Sequence, residues 1–325
     1  MGRGTSWRCG PGGSIIRQSG YGGVAALVSP DFLAMVLRAF GVTTDQESNA
    51  RLESRSGAGV CAVRTSDGRA AYLKVTPATL GPQAIAAARR ELRFYTEIAP
   101  VAPVRAPRLL DCLDAGDGVA VLLAAAGETR RVPEWTTGTW AALGRDLAGL
   151  HDMPIPTGTD WQRPDALQEA LTDPNLAEID SFWASALPQL GELLARRAEL
   201  MEQLRALPPA FVHGDCHTAN LVHSAGAIVF CDWQAAGIGR PASDLAFLSV
   251  RATPNGAIVP PALLDAYLDA RACDRRALRR ALLAEELAVF VFLWPAFAAL
   301  NSPQGIARVR RRTLRLSRRW FSTAG

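Results

Sequence analysis

The chain has 325 residues, 49% hydrophobic and 20% charged, and its 35 basic and 31 acidic side chains leave a formal charge of +4. This balance excludes a disordered or fibrous chain, and so small an excess of positive charge does not argue for nucleic-acid binding. Six cysteines, at 9, 61, 112, 216, 231 and 273, form no C-x-x-C pair. Neither a zinc site nor a disulfide framework is signalled, and a reduced, cytoplasmic compartment is expected. The longest apolar run, Leu287–Leu300, has 14 residues and contains Pro295, so it reads as a buried helix that is too short to span a bilayer.

Residues 1–28 are rich in glycine and lack the apolar core of a signal peptide. They are expected to be disordered, or to lie upstream of a true start near Val28 or Met35. Ser29-Pro30-Asp31 begins a helix and Gly41 ends it. From Arg51 the pattern turns to strands, with Ser66-Asp67-Gly68 as a hairpin turn between 60–65 and 69–75. The turn before them, Ser56-Gly57-Ala58-Gly59, offers bare amides, and Ser56, Gly57 and Gly59 are candidate phosphate contacts. Lys74 lies on the second strand. Read alone it is a surface lysine on an edge strand, but the next element is a strong helix, 83–98, with Glu91 beside its apolar stripe. A strand lysine and an inward helix glutamate form the ion pair that orients a nucleotide's phosphates; Glu97 is the other candidate, nearer the helix end.

Strands at 108–113 and 119–123 complete an antiparallel sheet, and the small, polar text after Leu123 reads as a linker with backbone groups near Ala124–Ala126 for an adenine edge. This gives an N-terminal lobe over 29–124 and a C-terminal lobe over 125–325. The latter is mainly helical, with a further helix at 189–207 and an amphipathic terminal helix at 305–320 whose arginines form a solvated face. The stretch 152–187 is acidic. It is either a solvated face or an electrostatic funnel for a cationic substrate, with Asp160, Asp165 and Asp173 as candidate contacts.

Phe211–Trp233 carries the densest chemistry. Two short apolar runs joined at Ala225-Gly226-Ala227 form a hairpin, with Asp215 and Asn220 at its entry and Asp232 at its exit, and hard divalent metals choose such oxygen ligands. Beyond it Gly237–Pro241 reads as a loop and Asp244 as the first turn of a helix.

His213-Gly214-Asp215-x-His217-x-x-Asn220, followed by Asp232-Trp233-Gln234 and Asp244-Leu245-Ala246, resembles the aminoglycoside phosphotransferase family of kinase-like small-molecule phosphotransferases; Lys74, Glu91 and Leu150-His151 also match. The resemblance covers roughly residues 45–300. It implies an α+β, two-lobed protein-kinase-like fold: an N-terminal antiparallel sheet plus helix, then a mainly helical lobe with a catalytic hairpin. It also implies ATP (or GTP) and Mg²⁺ as cofactors. By the same resemblance Asp215 is the catalytic base, Asn220 and Asp232 are magnesium ligands, and Lys74 with Glu91 orients phosphates. His213 and His217 hold the catalytic loop and Asp244 braces it. The chain lacks the protein-kinase G-x-G-x-x-G, the H-R-D arginine and an A-P-E segment, which disfavours a protein substrate and a loop-phosphorylation switch.

The expected activity is phosphorylation of a hydroxyl on a small molecule. The acceptor is an antibiotic of aminoglycoside or nucleoside type or, alternatively, a metabolite such as an amino alcohol or sugar. No nucleic acid, membrane or obligate protein partner is expected. The competing classes are a nucleotide-binding regulator without turnover and an RNA-binding protein that uses the terminal arginines.

Overall fold

The computed structural model describes residues 30–44, 52–53 and 59–323, so the expectations for 1–28, Ser56 and Gly57 fall outside the described residues. Helix α1 (Pro30–Phe40) has proline at its first position and Asp31 in its first turn, both suited to a helix N-terminus. Strands β1 (Thr43–Thr44), β2 (Leu52–Glu53), β3 (Gly59–Arg64) and β4 (Ala70–Pro77) precede helix α2 (Pro82–Arg93). Strands β5 (Leu109–Ala115) and β6 (Gly118–Ala124) follow it. Gly59 is thus the first residue of β3. The sheet order is β1-β3-β4-β6-β5, with β2 also paired to β3.

Strand β4 lies inside the sheet, with Lys74 opposite Val60 on one side and Val121 on the other. The lysine therefore occupies an interior strand, where an isolated reading would put it on an edge. Strand alternation turns Leu73 and Val75 into a core with Phe32 and Val36 of α1 and Leu122 of β6. Lys74 points to the other face, towards α2. That helix continues through a wider turn, Phe94–Ile98, and buries Ala87, Ala88, Glu91, Phe94, Tyr95 and Ile98 at helical spacing.

Helices α3 (Thr137–Asp152), α4 (Ala166–Thr172), α5 (Leu176–Trp183), α6 (Leu190–Ala195) and α7 (Arg197–Leu204) come next. The single helix expected over 189–207 breaks at Arg196 (φ −99°, ψ 20°) into α6 and α7. Strand β7 (Ala210–Val212) then leads to the hairpin β8 (Leu221–Ser224) and β9 (Ala227–Phe230), whose register sets Leu221 opposite Phe230. Gly237–Gly239, expected as loop, is strand β10. It pairs antiparallel with β7, Ile238 facing Phe211, and the backbone bonds of β7 find their partner there. Helices α8 (Pro241–Ala252), α9 (Pro261–Ala270), α10 (Arg275–Ala288) and α11 (Pro303–Thr323) complete the chain.

Among the described residues the chain forms two compact units. One holds the residues up to Thr129 together with Leu221–Ala236, and the other holds Arg130–Asn220 and the residues from Gly237 on. The hairpin, assigned from sequence to the lobe spanning 125–325, is grouped with the sheet because Trp233, just after it, stacks on Phe94 of α2's extension (centroids 3.7 Å apart, planes within 9°).

The helical unit has its own core, which includes Trp183, Leu193, Leu200, Leu287, Val291, Trp294 and Val309. The continuous helical stretch Arg275–Leu300 has 26 residues and is long and apolar enough to cross a membrane. Its most apolar window is 67% buried, so within this unit it serves as a core helix. Helix α11 turns Val309, Thr313, Leu316 and Trp320 inward. Its arginine face was expected to be solvated throughout, but three members are engaged. Arg308 donates to Pro254 O (2.9 Å), Arg310 to Phe182 O (2.9 Å) and Arg312 to Glu286 (2.6 Å).

Helix α3 packs against α9 most tightly at Gly144, where an added Cβ would lie 2.2 Å from Leu263 O and 3.1 Å from Tyr267 N. Gly144→Ala should therefore lower stability in urea unfolding by about 1–3 kcal/mol. Gly191→Ala in α6, where nothing lies within 4 Å, should be neutral or stabilising by up to about 1 kcal/mol.

Candidate active site

In the sheet-bearing unit the charged cluster centres on Lys74. Its Nζ is 2.7 Å from Glu91 Oε2 and 2.7 Å from Asp232 Oδ1. Lys74 and Glu91 are buried, whereas the Asp232 side chain is 39% exposed. Burial works against the charged ammonium, but the negative charges of Asp232 and Glu91 outweigh it and push Lys74 above the ordinary lysine value. Burial pushes the Glu91 carboxyl up, and Lys74 opposes that shift. Glu97 is exposed and pairs with Arg93 at 3.4 Å. Asp232 has a left-handed backbone (φ 64°), a conformation that aspartate tolerates better than most residues and that recurs at functional turns. Trp233 anchors the turn by donating from its indole to Phe230 O (2.9 Å). The amides of Ala124 and Ala125 already donate to Arg108 O and Ala70 O. These two N–H groups, expected to face an adenine edge, are therefore committed to the protein.

In the helical unit β7 delivers the chain into a loop held by one carboxylate. Asp244, in the first turn of α8 and 1% exposed, accepts hydrogen bonds from the amides of His213 (2.8 Å) and Gly214 (2.8 Å). Gly214 has φ 79°, a left-handed turn in which a side chain would be strained. His151 Nε2 lies 3.2 Å from Asp244 Oδ2 and His151 Nδ1 lies 2.8 Å from Tyr267 Oη, which in turn accepts from Arg271 (2.7 Å). For a neutral imidazole the consistent proton order runs from Arg271 to Tyr267, from Tyr267 to His151 Nδ1, and from His151 Nε2–H to Asp244. Burial opposes the Asp244 anion, yet the His151 hydrogen bond and the neighbouring donors hold its carboxyl below the ordinary value.

Asp215 follows in this loop. Its amide donates to His213 Nδ1 (3.3 Å), and Asn220 Nδ2 donates to its carbonyl (3.0 Å) and to its Oδ2 (3.1 Å). His217 Nδ1 accepts from the Ala219 amide (3.2 Å), and its Nε2 lies 3.6 Å from Asp215 Oδ2. Arg251, on α8 two turns beyond Asp244, reaches within 3.2 Å of the same Nε2. Burial alone would raise the Asp215 carboxyl; the His217 hydrogen bond and the charge of Arg251 reverse this and hold it at about 2. Cys216 is buried, and burial pushes its thiol far up, so it is inert at neutral pH.

The acidic candidates are not brought together. Asp165 caps the N-terminus of α4, Asp173 stands at its C-terminus, and at 1.5 Å per residue about 12 Å separates them. Asp165 is also paired with Arg240, whose guanidinium grips buried Glu285 with two 2.8 Å bonds. Asp160 is exposed in the short turn Thr159–Trp161. Sequence reasoning did not find Arg251, Tyr267 or Arg271, none of which falls in a local motif.

The sequence profile of the phosphotransferase enzyme family (APH) matches residues 51–293, and the chain belongs to that family. It is a small-molecule kinase, with the α+β protein-kinase-like fold that the motifs implied. Among solved structures it is similar to the amicoumacin kinase hAmiN in complex with AMP-PNP, Ca²⁺ and Ami (15% identity, TM-score 0.59, covering 88% of this chain and 94% of that one). A second is the aminoglycoside phosphotransferase APH(3'')-Id from Streptomyces rimosus with ADP and streptomycin (21%, 0.50, 79% and 97%). A third is a choline/ethanolamine kinase family protein from Mesorhizobium loti (19%, 0.53, 88% and 94%). No curated protein sequence matches the chain.

Asp244→Asn should leave a buried amide group facing two N–H donors and cost about 3 kcal/mol at neutral pH. Because the native carboxyl is held low, its stabilising contribution is complete above the unfolded-state value of about 4 and is lost as pH falls through the native value. The difference in urea midpoint between wild type and variant should therefore be largest near neutrality and shrink as the pH falls below the unfolded-state value of about 4.

Proposed function

We propose that the protein transfers the terminal phosphoryl group of ATP to a hydroxyl of a small acceptor, with Lys74, Glu91 and Asp232 serving the nucleotide and Asp215 serving the acceptor. The observation that carries this reading is the buried Lys74 ammonium held between two carboxylates. Such a cation is fixed in position, stays charged, and can neutralise phosphate oxygens. AMP-PNP with Ca²⁺ in the amicoumacin kinase and ADP in the streptomycin enzyme support a nucleotide and a divalent cation here.

Mg²⁺ suits the donor set. Among the described residues no group of three His, Cys, Asp or Glu could hold a metal. Mg²⁺ typically takes one or two protein oxygens and completes its shell with water and phosphates. Asn220 spends its Nδ2 on Asp215, which leaves its carbonyl oxygen for a cation, and Asp232 spends one oxygen on Lys74 and keeps the other. When bound, the ion would spread the charge that develops on the transferred group. A carboxylate held at about 2 is a weak base, so Asp215 acts first by orienting the acceptor hydroxyl and takes its proton as the transfer proceeds. His217 and Asn220 fix that carboxylate from two sides.

The acceptor class is a hydroxylated antibiotic of aminoglycoside or nucleoside type, and the exposed acidic residues Asp160 and Asp173 favour a cationic one. A cationic amino alcohol, the class named for the choline/ethanolamine kinase relative, meets the same description.

The test incubates the protein with ATP, Mg²⁺ and a panel of aminoglycosides, nucleoside antibiotics, amino alcohols and sugars, and reads phosphate gain by mass spectrometry. Asp215→Asn should cost on the order of 10²–10⁴ in rate with ATP affinity retained. Undiminished transfer would place the base elsewhere, and ATP binding with no acceptor modified would favour a regulator. For a cationic acceptor, Asp160→Asn with Asp173→Asn should raise KM and leave the KM for ATP unchanged; an unmoved KM removes these two residues from the acceptor site.

A further inference from the structure

The helical unit has a second concave feature that shares no residue with the catalytic loop. A cavity of ≈ 440 Å³ is lined by Arg275, Arg276, Arg279, Arg280 and Leu283 of α10 and by Arg319 of α11. Five arginines from two helices, separated by about forty residues of chain, thus line one volume.

Local helix physics disfavours this arrangement. Arg275 and Arg276 occupy the first two positions of α10, and its first turn has no acidic residue. The helix dipole already makes this end positive. Arg275 with Arg279, and Arg276 with Arg280, are like-charged pairs at i,i+4, which weaken a helix. Compensation is partial. Asp269 pairs with Arg275 at 2.8 Å and Asp265 lies 3.7 Å from Arg279, while Asp274 is spent capping the amides of Arg276 and Ala277. Arg276 and Arg280 form no ion pair among the described residues. Places where a sequence breaks several local rules at once are often functional or strained sites.

We propose that this cavity binds a small soluble anion carrying two or more phosphate groups. Guanidinium forks grip phosphate oxygens in pairs, and several forks around one volume reward a multivalent ligand over a single phosphate. The volume lies in the range of about 300–1,000 Å³ typical of small-molecule sites.

The experiment titrates inorganic tripolyphosphate into the full chain at fixed ionic strength by calorimetry. It compares wild type, Arg276→Gln/Arg280→Gln, Lys74→Met and, as an exposed arginine outside the cavity, Arg311→Gln. Tripolyphosphate should bind the double variant at least tenfold more weakly, and Lys74→Met and Arg311→Gln with wild-type affinity at this site. Without ligand the double variant should melt no lower than wild type, because the substitutions relieve repulsion, and it alone should fail to gain Tm when tripolyphosphate is added. Unchanged affinity in the double variant overturns the proposal. So does an equal loss in Arg311→Gln, which would mean a diffuse cationic surface, or a loss confined to Lys74→Met, which would mean the nucleotide site. Binding of phosphatidylserine vesicles or of a short single-stranded RNA that needs Arg276 and Arg280 and resists competition by tripolyphosphate would also overturn it, in favour of that macromolecule.

Discussion

Two adjacent peptide N–H groups inside a protein need acceptors, and at His213 and Gly214 a single carboxylate supplies both. Asp244 can do this because its own charge is supported in turn. His151 approaches the same oxygen that receives the His213 amide, Tyr267 fixes the imidazole tautomer, and Arg271 ends the series near the surface, where it also meets Asp152 at 2.7 Å. Each group in this series is satisfied only while the next is in place. The backbone that aims Asp215 is therefore set by a polar chain through the helical unit, in which hydrogen bonds reinforce one another. The left-handed turn at Gly214 and the close seating of α3 on α9 follow from the same requirement, since His151 and Tyr267 sit on those two helices.

The Lys74 cluster follows the opposite electrostatic logic. Here one cation serves two carboxylates, so the cluster carries excess negative charge, and the third member is left half in water at a strained backbone position. Such a group is incompletely neutralised by the protein itself and gains when a further cation arrives. The two clusters thus differ: in one every charge is balanced within the protein, and in the other a negative charge is left over.

What the sequence made legible was local. His213 to Asn220 lies within eight residues, and a strand lysine followed by an inward helix glutamate can be read from period two giving way to period 3.6. The partners that hold these groups could not be read, because they come from far along the chain: Tyr267 is 116 residues from His151, and Arg251 is 34 from His217. Strand β10 was taken for a loop because Gly-Ile-Gly has no strand propensity of its own, and its pairing with β7 creates the strand. The break at Arg196 likewise has no proline or glycine to announce it. The acidic stretch looked uniform as text, yet Asp165 is consumed by Arg240 and Asp152 by Arg271, so fewer charges than counted are available to a ligand.

The hairpin's membership of the sheet-bearing unit has a consequence for how the chain is made. That unit is closed by residues Leu221–Ala236, which leave the ribosome only after the intervening Arg130–Asn220. At roughly 5–20 residues per second, about 90 residues of helical chain take on the order of 5–20 s to appear. During that interval Phe94 lacks the Trp233 ring that stacks on it, and Lys74 has Glu91 but not Asp232 as an acidic partner. Until then the aromatic face of Phe94 is uncovered, and Asp232, the second acidic partner of Lys74, arrives on the same sixteen-residue segment as the ring that covers it.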